Sequence, residues 1–257
     1  MDRPIRYAET PPPSGLASAV RDLWRFDASP ETPAGTFTLP PDPCASLAVV
    51  ARGPRLGLRV VGPHLWPISV PLGPGTVVCG IRLRPELAGP LLGDAAAWLG
   101  HNADAGDVLP ELTDSARRAP DVPSGQARVL GALPDRLRRA PAPDPLVRRA
   151  VDAIEAARGE LRIGALAAEL GVSARTLQRR FGAATGLAPK PYARVRRFLL
   201  AAANVLRAAP EAWGRVAAEH GFADQAHFGR ECVALTGLAP GAFAARMAPI
   251  LHVGVRP

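Results

Sequence analysis

Residues 166–197 read LAAELGVSARTLQRRFGAATGLAPKPYARVRR, and residues 216–240 read VAAEHGFADQAHFGRECVALTGLAP. The second stretch repeats the first. LAAELG at 166–171 returns as VAAEHG at 216–221, and GLAP at 186–189 returns at 237–240. The offset grows from 50 to 51, so the later copy carries one extra residue in its turn. Each copy reads as a short helix, a glycine turn, a polar N-cap, a second helix and Thr-Gly. Ser173 and Asp224 are the N-caps, since their side chains can accept from the free N–H groups of a first turn. Gly171 and Gly221 supply the left-handed turn conformation, and the alanine pairs before them let two helices approach closely. Leu177 and Phe181, at i and i+4, pin the second helix of copy one to a core; Phe228 and Cys232 are their counterparts.

A plain helical bundle would explain the alanines and glycines. It would not explain the outward face of 174–180, which carries Arg175, Gln178, Arg179 and Arg180. Arginine and glutamine at the start of an exposed second helix suit major-groove readout, Arg bidentate to guanine and Gln to adenine.

Between the copies, Tyr192, Val195, Leu199, Ala202 and Leu206 step by three and four, predicting one apolar stripe on a helix of about five turns. Arg194 and Arg197 fall off that stripe. Upstream, Asp144-Pro145 predicts a helix start, Val147, Val151 and Ile154 its buried face, and Gly159 its stop. RRAPAPDP at 138–145 reads as a linker.

The charge divides at the same place. Residues 1–145 hold 15 Arg and 15 Asp or Glu; residues 146–257 hold 15 Arg, Lys190 and 8 Asp or Glu. The whole net charge of +8 therefore lies in the second part, as a nucleic-acid or other anionic partner requires. Proline divides the other way, with 23 residues before position 146 and 6 after it.

The first part reads as mostly strand: Val20–Phe26, Ser46–Ala51, Leu56–Val61, Leu65–Val70 and Thr76–Leu83, separated by Gly/Pro turns. Spacing near ten residues suits an antiparallel meander or small barrel. Val77, Val78, Ile81 and Leu83 lack clean alternation, which predicts burial on both faces under a short helix from Pro85 to Leu92. Ala95–Leu99 and Gln126–Arg139 read as helical, the latter interrupted by Pro134. The fold class is α+β: a β-rich sensor-like domain at 1–140, a linker at 141–145, and an all-α domain at 146–250 of two helix-turn-helix units joined by a long helix.

Residues 146–247 resemble the DNA-binding domain of the AraC/XylS family of bacterial transcription regulators. The two stretches quoted above carry the likeness, above all GF-x-D-Q-x-H-F-x-R-x(5)-TG-x-x-P in the second. The resemblance implies two recognition helices entering successive major grooves on one face of double-stranded DNA. Its base-facing positions fall on Arg175, Gln178 and Arg179 in the first unit and on Gln225, His227 and Arg230 in the second. Ala226 and Gly229, also base-facing, cannot hydrogen-bond through side chains, so the second unit should read fewer bases. Arg180, Lys190, Arg194 and Arg197 are the expected phosphate contacts. The family's usual aromatic is Cys232 here, which should loosen the second unit's core. The first half resembles the degenerate cupin-like sensor often fused to this module, with Asp42-Pro43-Cys44 where D-G-C is usual. A small-molecule effector of unknown identity is expected there; the two-part architecture further predicts a homodimer contact through the N-terminal domain, with RNA polymerase as an expected further partner of a regulator.

Other chemistry finds little footing. His64 stands alone among the strands and His101 follows them, so neither a metal nor a cofactor is expected. Cys44, Cys79 and Cys232 are scattered and odd in number, which fits a reducing cytoplasm and, for a DNA binder, the bacterial nucleoid. No apolar run spans a membrane, and MDRPIRYAETPPPS has no secretory core. Catalytic residues are not expected. The alternative, a thiol-based alkyl-transfer enzyme fused to the DNA-binding module, needs four zinc-binding cysteines or a Pro-Cys-His-Arg acceptor, whereas Ala45 follows Cys44. Trp24, Trp66 and Trp98 read as core or as pocket wall.

Overall fold

The computed structural model describes residues 5–208 and 210–251. The first half carries eight strands: β1 (Ile5–Thr10), β2 (Val20–Ala28), β3 (Gly35–Leu39), β4 (Ser46–Arg52), β5 (Arg55–Val61), β6 (Ile68–Leu72), β7 (Val77–Leu83) and β8 (Asn102–Asp104). Six of them form an antiparallel sheet in the order β1-β2-β7-β4-β5-β8, and β3 pairs with β6 beside it. The architecture is two open sheets and not a closed barrel. Three helices accompany them: α1 (Ala88–Leu92), α2 (Pro110–Arg117) and α3 (Val122–Arg139).

Central strand β7 shows why its sequence does not alternate. Cys79, Ile81 and Leu83 face a core built with Leu47, Val49, Leu58, Leu91, Leu112, Val129 and Leu133. Val78, on the opposite face, packs into a second core with Phe26 and Phe37. Both faces are covered, as predicted, with α3 sharing the task with the turns after Pro85.

Four local expectations change. β1 and β3 were hidden in polar stretches, because only Tyr7 and Phe37 of them are well buried. β6 begins at Ile68 and not Leu65, since Pro67 has no N–H for a ladder and Trp66 points to solvent. α2 supplies Leu112 and Ala116 to the first core from a segment without clear periodicity. Pro134 does not interrupt α3, which runs unbroken from its Asp121 cap. Burial of Val129 and Leu133 before it, with Leu137 packed on the same core after it, offsets the lost backbone bond.

The second half is helical throughout: α4 (Pro145–Ala156), α5 (Ile163–Glu169), α6 (Ala174–Thr185), α7 (Pro189–Val205), α8 (Trp213–Glu219), α9 (Gln225–Thr236) and α10 (Pro240–Leu251). α4 begins where Asp144-Pro145 predicts, with the Asp144 carboxylate accepting from the Leu146 N–H at 2.9 Å. α7 departs from its predicted single stripe. Arg196, Phe198, Leu200, Ala203 and Val205 are buried together with Tyr192, Val195 and Ala202. The connecting helix is enclosed because both helix-turn-helix units and the β-rich half pack around it.

The halves share one core. Tyr7, Phe26, Phe37 and Leu72 of the sheets cluster with Val195, Phe198, Phe228, Phe243 and Met247 of the helices. The end of α6 also meets the first half closely: a Cβ on Gly186 would lie 2.4 Å from the Ala95 carbonyl oxygen. One carboxylate ties the joint. Glu155 of α4 accepts from both Nη groups of Arg21 on β2 at 3.0 Å, from Arg196 of α7 at 2.7 and 2.8 Å, and from the Tyr192 hydroxyl at 2.6 Å. Burial pushes this carboxyl up, but the Arg196 and Arg21 guanidinium groups outweigh it and hold it at about 2.

A carboxyl lowered on folding stabilises the protein above its unfolded value and loses that contribution as pH falls through the folded one. Denaturant melts of the wild type should therefore show a loss between pH 4.5 and about 2 that Glu155→Gln lacks. At neutral pH Glu155→Gln should cost about 3 kcal/mol, because two guanidinium groups are left sharing a neutral acceptor.

Candidate functional site

The repeat is preserved at the level of single hydrogen bonds. In the first unit, Gly171 turns at φ +70°, and the Ser173 hydroxyl accepts from the Thr176 N–H at 3.1 Å. In the second, Gly221 turns at φ +69°, and the Asp224 carboxylate accepts from the His227 N–H at 2.6 Å. Leu177 and Phe181, and then Phe228 and Cys232, are the buried side chains of the two second helices. Thr185 donates to the Phe181 carbonyl at 2.9 Å, and Thr236 to the Cys232 carbonyl at 2.6 Å, each just before a left-handed glycine cap. The extra residue of the later copy lies in the turn between α8 and α9, as its offset predicts. Around Cys232 the second core is filled by rings: Phe198, Phe222, Phe228 and Phe243 lie with centroids 5.3–5.9 Å apart.

Arg175, Gln178 and Arg179 stand together on the exposed face at the start of α6, and none of them is engaged in an ion pair among the described residues. Gln225 and Arg230 are exposed on α9. His227 is turned inward at one nitrogen: its Nδ1 accepts from the Ala223 N–H at 3.2 Å and its ring meets the Phe222 edge, which leaves Nε2 directed elsewhere.

The four expected phosphate contacts are placed differently from one another. Lys190 is exposed at the start of α7. Arg180 grips the Asp144 cap of α4, Nε to Oδ2 at 2.6 Å, with a second short bond from Nη2. Arg194 holds Glu231 of α9 at 2.7 and 3.1 Å. Arg197 lays its guanidinium 4.6 Å above the Phe222 ring, and its Nε is buried with no partner among the described residues. That stack pins α7 to the turn of the second unit.

A cavity of about 520 Å³ lies between the sheet and helices α4 and α7. Tyr7, Glu9, Asp22, Trp24 and Arg82 form its sheet wall, and Glu155, Arg196 and Leu199 its helix wall. Sequence reasoning missed these charges. Two signals were present: alternation in VRDLWRFDA, which sets Asp22, Trp24 and Phe26 on one face, and Arg82 inside an apolar central strand. Cys44 also lines the cavity; burial, then the Asp42 charge, pushes its thiol up to about 12, the behaviour of an inert buried side chain. His64 is buried, with its ring nitrogens 3.1 and 3.0 Å from the Gly62 and Pro40 carbonyl oxygens. Among the described residues no group of three or more His, Cys, Asp or Glu is placed to hold a metal ion, and no helix is long and apolar enough to cross a membrane.

By sequence, residues 166–246 match the helix-turn-helix domain family. No curated protein matches the chain. Among solved structures the chain is similar to ToxT from Vibrio cholerae. An apo variant of ToxT aligns with a TM-score of 0.44 and 11% identity, covering 87% of this chain and 96% of that one. ToxT bound to an unsaturated fatty acid aligns with a TM-score of 0.41 and 8% identity over 93% of each chain. ToxT bound to (E)-4-(8-methylnaphthalen-1-yl)but-3-enoic acid gives 0.44 and 12%, covering 95% of this chain and 98% of that one.

The two kinds of arginine should separate in stability measurements. Arg197→Ala removes a stacked, partly buried group and should cost about 1–2 kcal/mol in urea unfolding. Arg179→Ala, at an exposed position, should stay within about 0.5 kcal/mol. Equal losses would mean that the Arg197 stack on Phe222 contributes nothing.

Proposed function

We propose that the chain, whose residues 166–246 are a helix-turn-helix domain of the AraC/XylS type, is a sequence-specific transcription regulator that reads two successive major grooves of double-stranded DNA. The observation that carries this reading is the cluster of Arg175, Gln178 and Arg179, exposed on the first turns of a capped helix whose other face is buried. Those groups have the donor and acceptor patterns that base edges require. In the second unit Gln225, Arg230 and the Nε2 side of His227 take the same role, with fewer base contacts because Ala226 and Gly229 lie between them. Lys190 is the principal phosphate contact. Arg180 and Arg194 reach phosphates by exchanging a carboxylate for them, and Arg197 contributes chiefly by holding α7 against the second unit.

Residues 1–140 act as the sensor and residues 146–250 as the reader. The cavity between sheet and helices is the effector site: its volume is that of an ordinary metabolite pocket, and its walls come from both halves. Arg21 and Glu155, which face each other across the joint, carry a ligand's influence to α4. A ligand shifts DNA affinity only by its differential binding to two arrangements of the joint, typically about 1–3 kcal/mol. Thiol alkyl transfer at Cys44 is disfavoured by the buried, unactivated thiol. RNA polymerase is the partner of a regulator docked at a promoter.

Binding-site selection with the full chain tests the reading. Arg179→Ala should lose about 1–3 kcal/mol and relax preference at one base position. Lys190→Ala should weaken all sequences alike and lower the salt slope by about 1. An unchanged preferred sequence in Arg179→Ala would remove α6 from the major groove.

A further inference from the structure

The charges of the cavity narrow the class of its ligand, given the sensor reading above. Strand period two sets Asp22 and Trp24 of β2 opposite Arg82 and Gly80 of β7, and Glu9 of β1 opposite Trp24. Arg82 is fully spent within this group. Its Nε donates to Asp42 at 2.8 Å, its Nη1 to Glu9 at 2.9 Å and to Asp22 at 2.6 Å, and its Nη2 to the Tyr7 hydroxyl at 3.3 Å. Three carboxylates thus surround one guanidinium, and all are largely withdrawn from water, with side-chain exposures of 11%, 15% and 20% for Glu9, Asp22 and Asp42.

The neighbouring cations do not cancel that surplus where it lies. Arg21 comes to 3.7 Å from Asp22, but both its Nη groups are committed to Glu155, as is Arg196. Arg84 is held by Glu86 and Asp152. His64 places its two nitrogens at backbone carbonyls. Burial pushes the Asp42 carboxyl up, but Arg82 and then His64 outweigh it, so the uncompensated charge is greatest at Glu9 and Asp22. The cavity is therefore negative at its sheet end, whereas the cations at its helix end are paired with carboxylates of their own. Burial, reinforced by Glu9 and Asp42, pushes the Asp22 carboxyl up against the pull of Arg82. Beside this end the Trp24 and Tyr7 rings stack at 6.4 Å, and aromatic faces attract cations and exclude anions.

We propose that the cavity takes an organic cation, an amine or amidine on an apolar body, with its charge among Glu9, Asp22 and Asp42 and its body along Trp24 and Leu199. A buried surplus of carboxylate is costly alone and favourable around a donor with several N–H groups. A carboxylic acid at the same place would add a fourth anion to the three.

The full chain is titrated by calorimetry and by Trp24 fluorescence, with Trp24→Phe as the background. The probes are two matched pairs: 4-phenylbutylamine against 4-phenylbutyrate, and benzamidine against benzoate. At least one cation should bind at one site, about tenfold or more tighter than its carboxylate partner. Asp22→Asn and Glu9→Gln should each weaken that binding on the order of tenfold; if one variant fails to fold, the other decides. Binding of neither cation, equal or tighter binding of the carboxylates, or unchanged affinity in the folded variants overturns the proposal. DNA affinity is read on the same samples. A cation that binds without moving it leaves the ligand class standing and removes the sensor reading. A carboxylate that binds and moves it does the reverse.

Discussion

Two guanidinium groups and a phenol converge on the Glu155 carboxylate, and the arrangement of the molecule depends on that convergence. Arg21 arrives from the sheet, Arg196 and Tyr192 from the connecting helix, and Glu155 itself from the first helix of the DNA-binding half. A single buried arginine beside a single carboxylate would gain little after desolvation. A second guanidinium and a hydroxyl fill the remaining lone pairs, so the carboxylate stays charged where burial alone would neutralise it. The cost of a half-satisfied cluster is what gives it directional value. Any displacement of α4 from the sheet leaves at least one buried charge unpaired.

That constraint explains why charge and proline divide the chain so cleanly while packing does not. Net charge follows the surface, where the second half presents its arginines. The core follows apolar area, and the sheet face carrying Tyr7 and Phe26 is covered by α7, α9 and α10 together with Phe37 and Leu72 of β3 and β6. α7 is consequently buried well beyond one stripe, with Lys190, Arg194 and Asn204 left exposed, although its own sequence advertises a single face. Periodicity reports the face that a helix must bury; it cannot report how many neighbours will bury the others.

What was legible in the sequence was local. The caps at Ser173 and Asp224, the left-handed glycines and the Leu177–Phe181 pair are short-range chemistry, and the repeat displays each of them twice. The Asp144-Pro145 start is of the same kind. The edge strands β1 and β3 were not legible, because each buries little and reads as polar loop. Pro134 misled for the opposite reason: a local penalty was offset by tertiary burial of the same helix, chiefly of Val129 and Leu133. The cavity was the least legible feature. Glu9, Asp22, Asp42, Arg82, Glu155 and Arg196 come from six separate segments, and only the pairing of β2 with β7 and the docking of α4 and α7 bring them together. No spacing in the chain encodes that proximity, although an arginine in a central strand signals that something must neutralise it.

On the proposed reading, the cations of the helix-turn-helix half divide between those already paired within the chain and those left open. Arg180 and Arg194 are neutralised by Asp144 and Glu231, and Arg197 is spent on Phe222, whereas Arg175, Gln178 and Arg179 are exposed and form no ion pair among the described residues. A phosphate approaching Arg194 must displace a carboxylate that already satisfies it, so the gain is the difference between two similar ion pairs. A guanine approaching Arg179 displaces only water. The internal pairing therefore takes most from the contacts that any sequence would make and little from those that depend on bases. In a chain whose excess positive charge all lies in one half, that partition would, on the proposed reading, favour base readout over mere adhesion. It also makes the same carboxylates, Asp144 and Glu231, part of the fold's rigidity: one caps α4 and the other ties α9 to α7. The fixed relation of the two units and the selection of which cations stay open then rest on the same ion pairs.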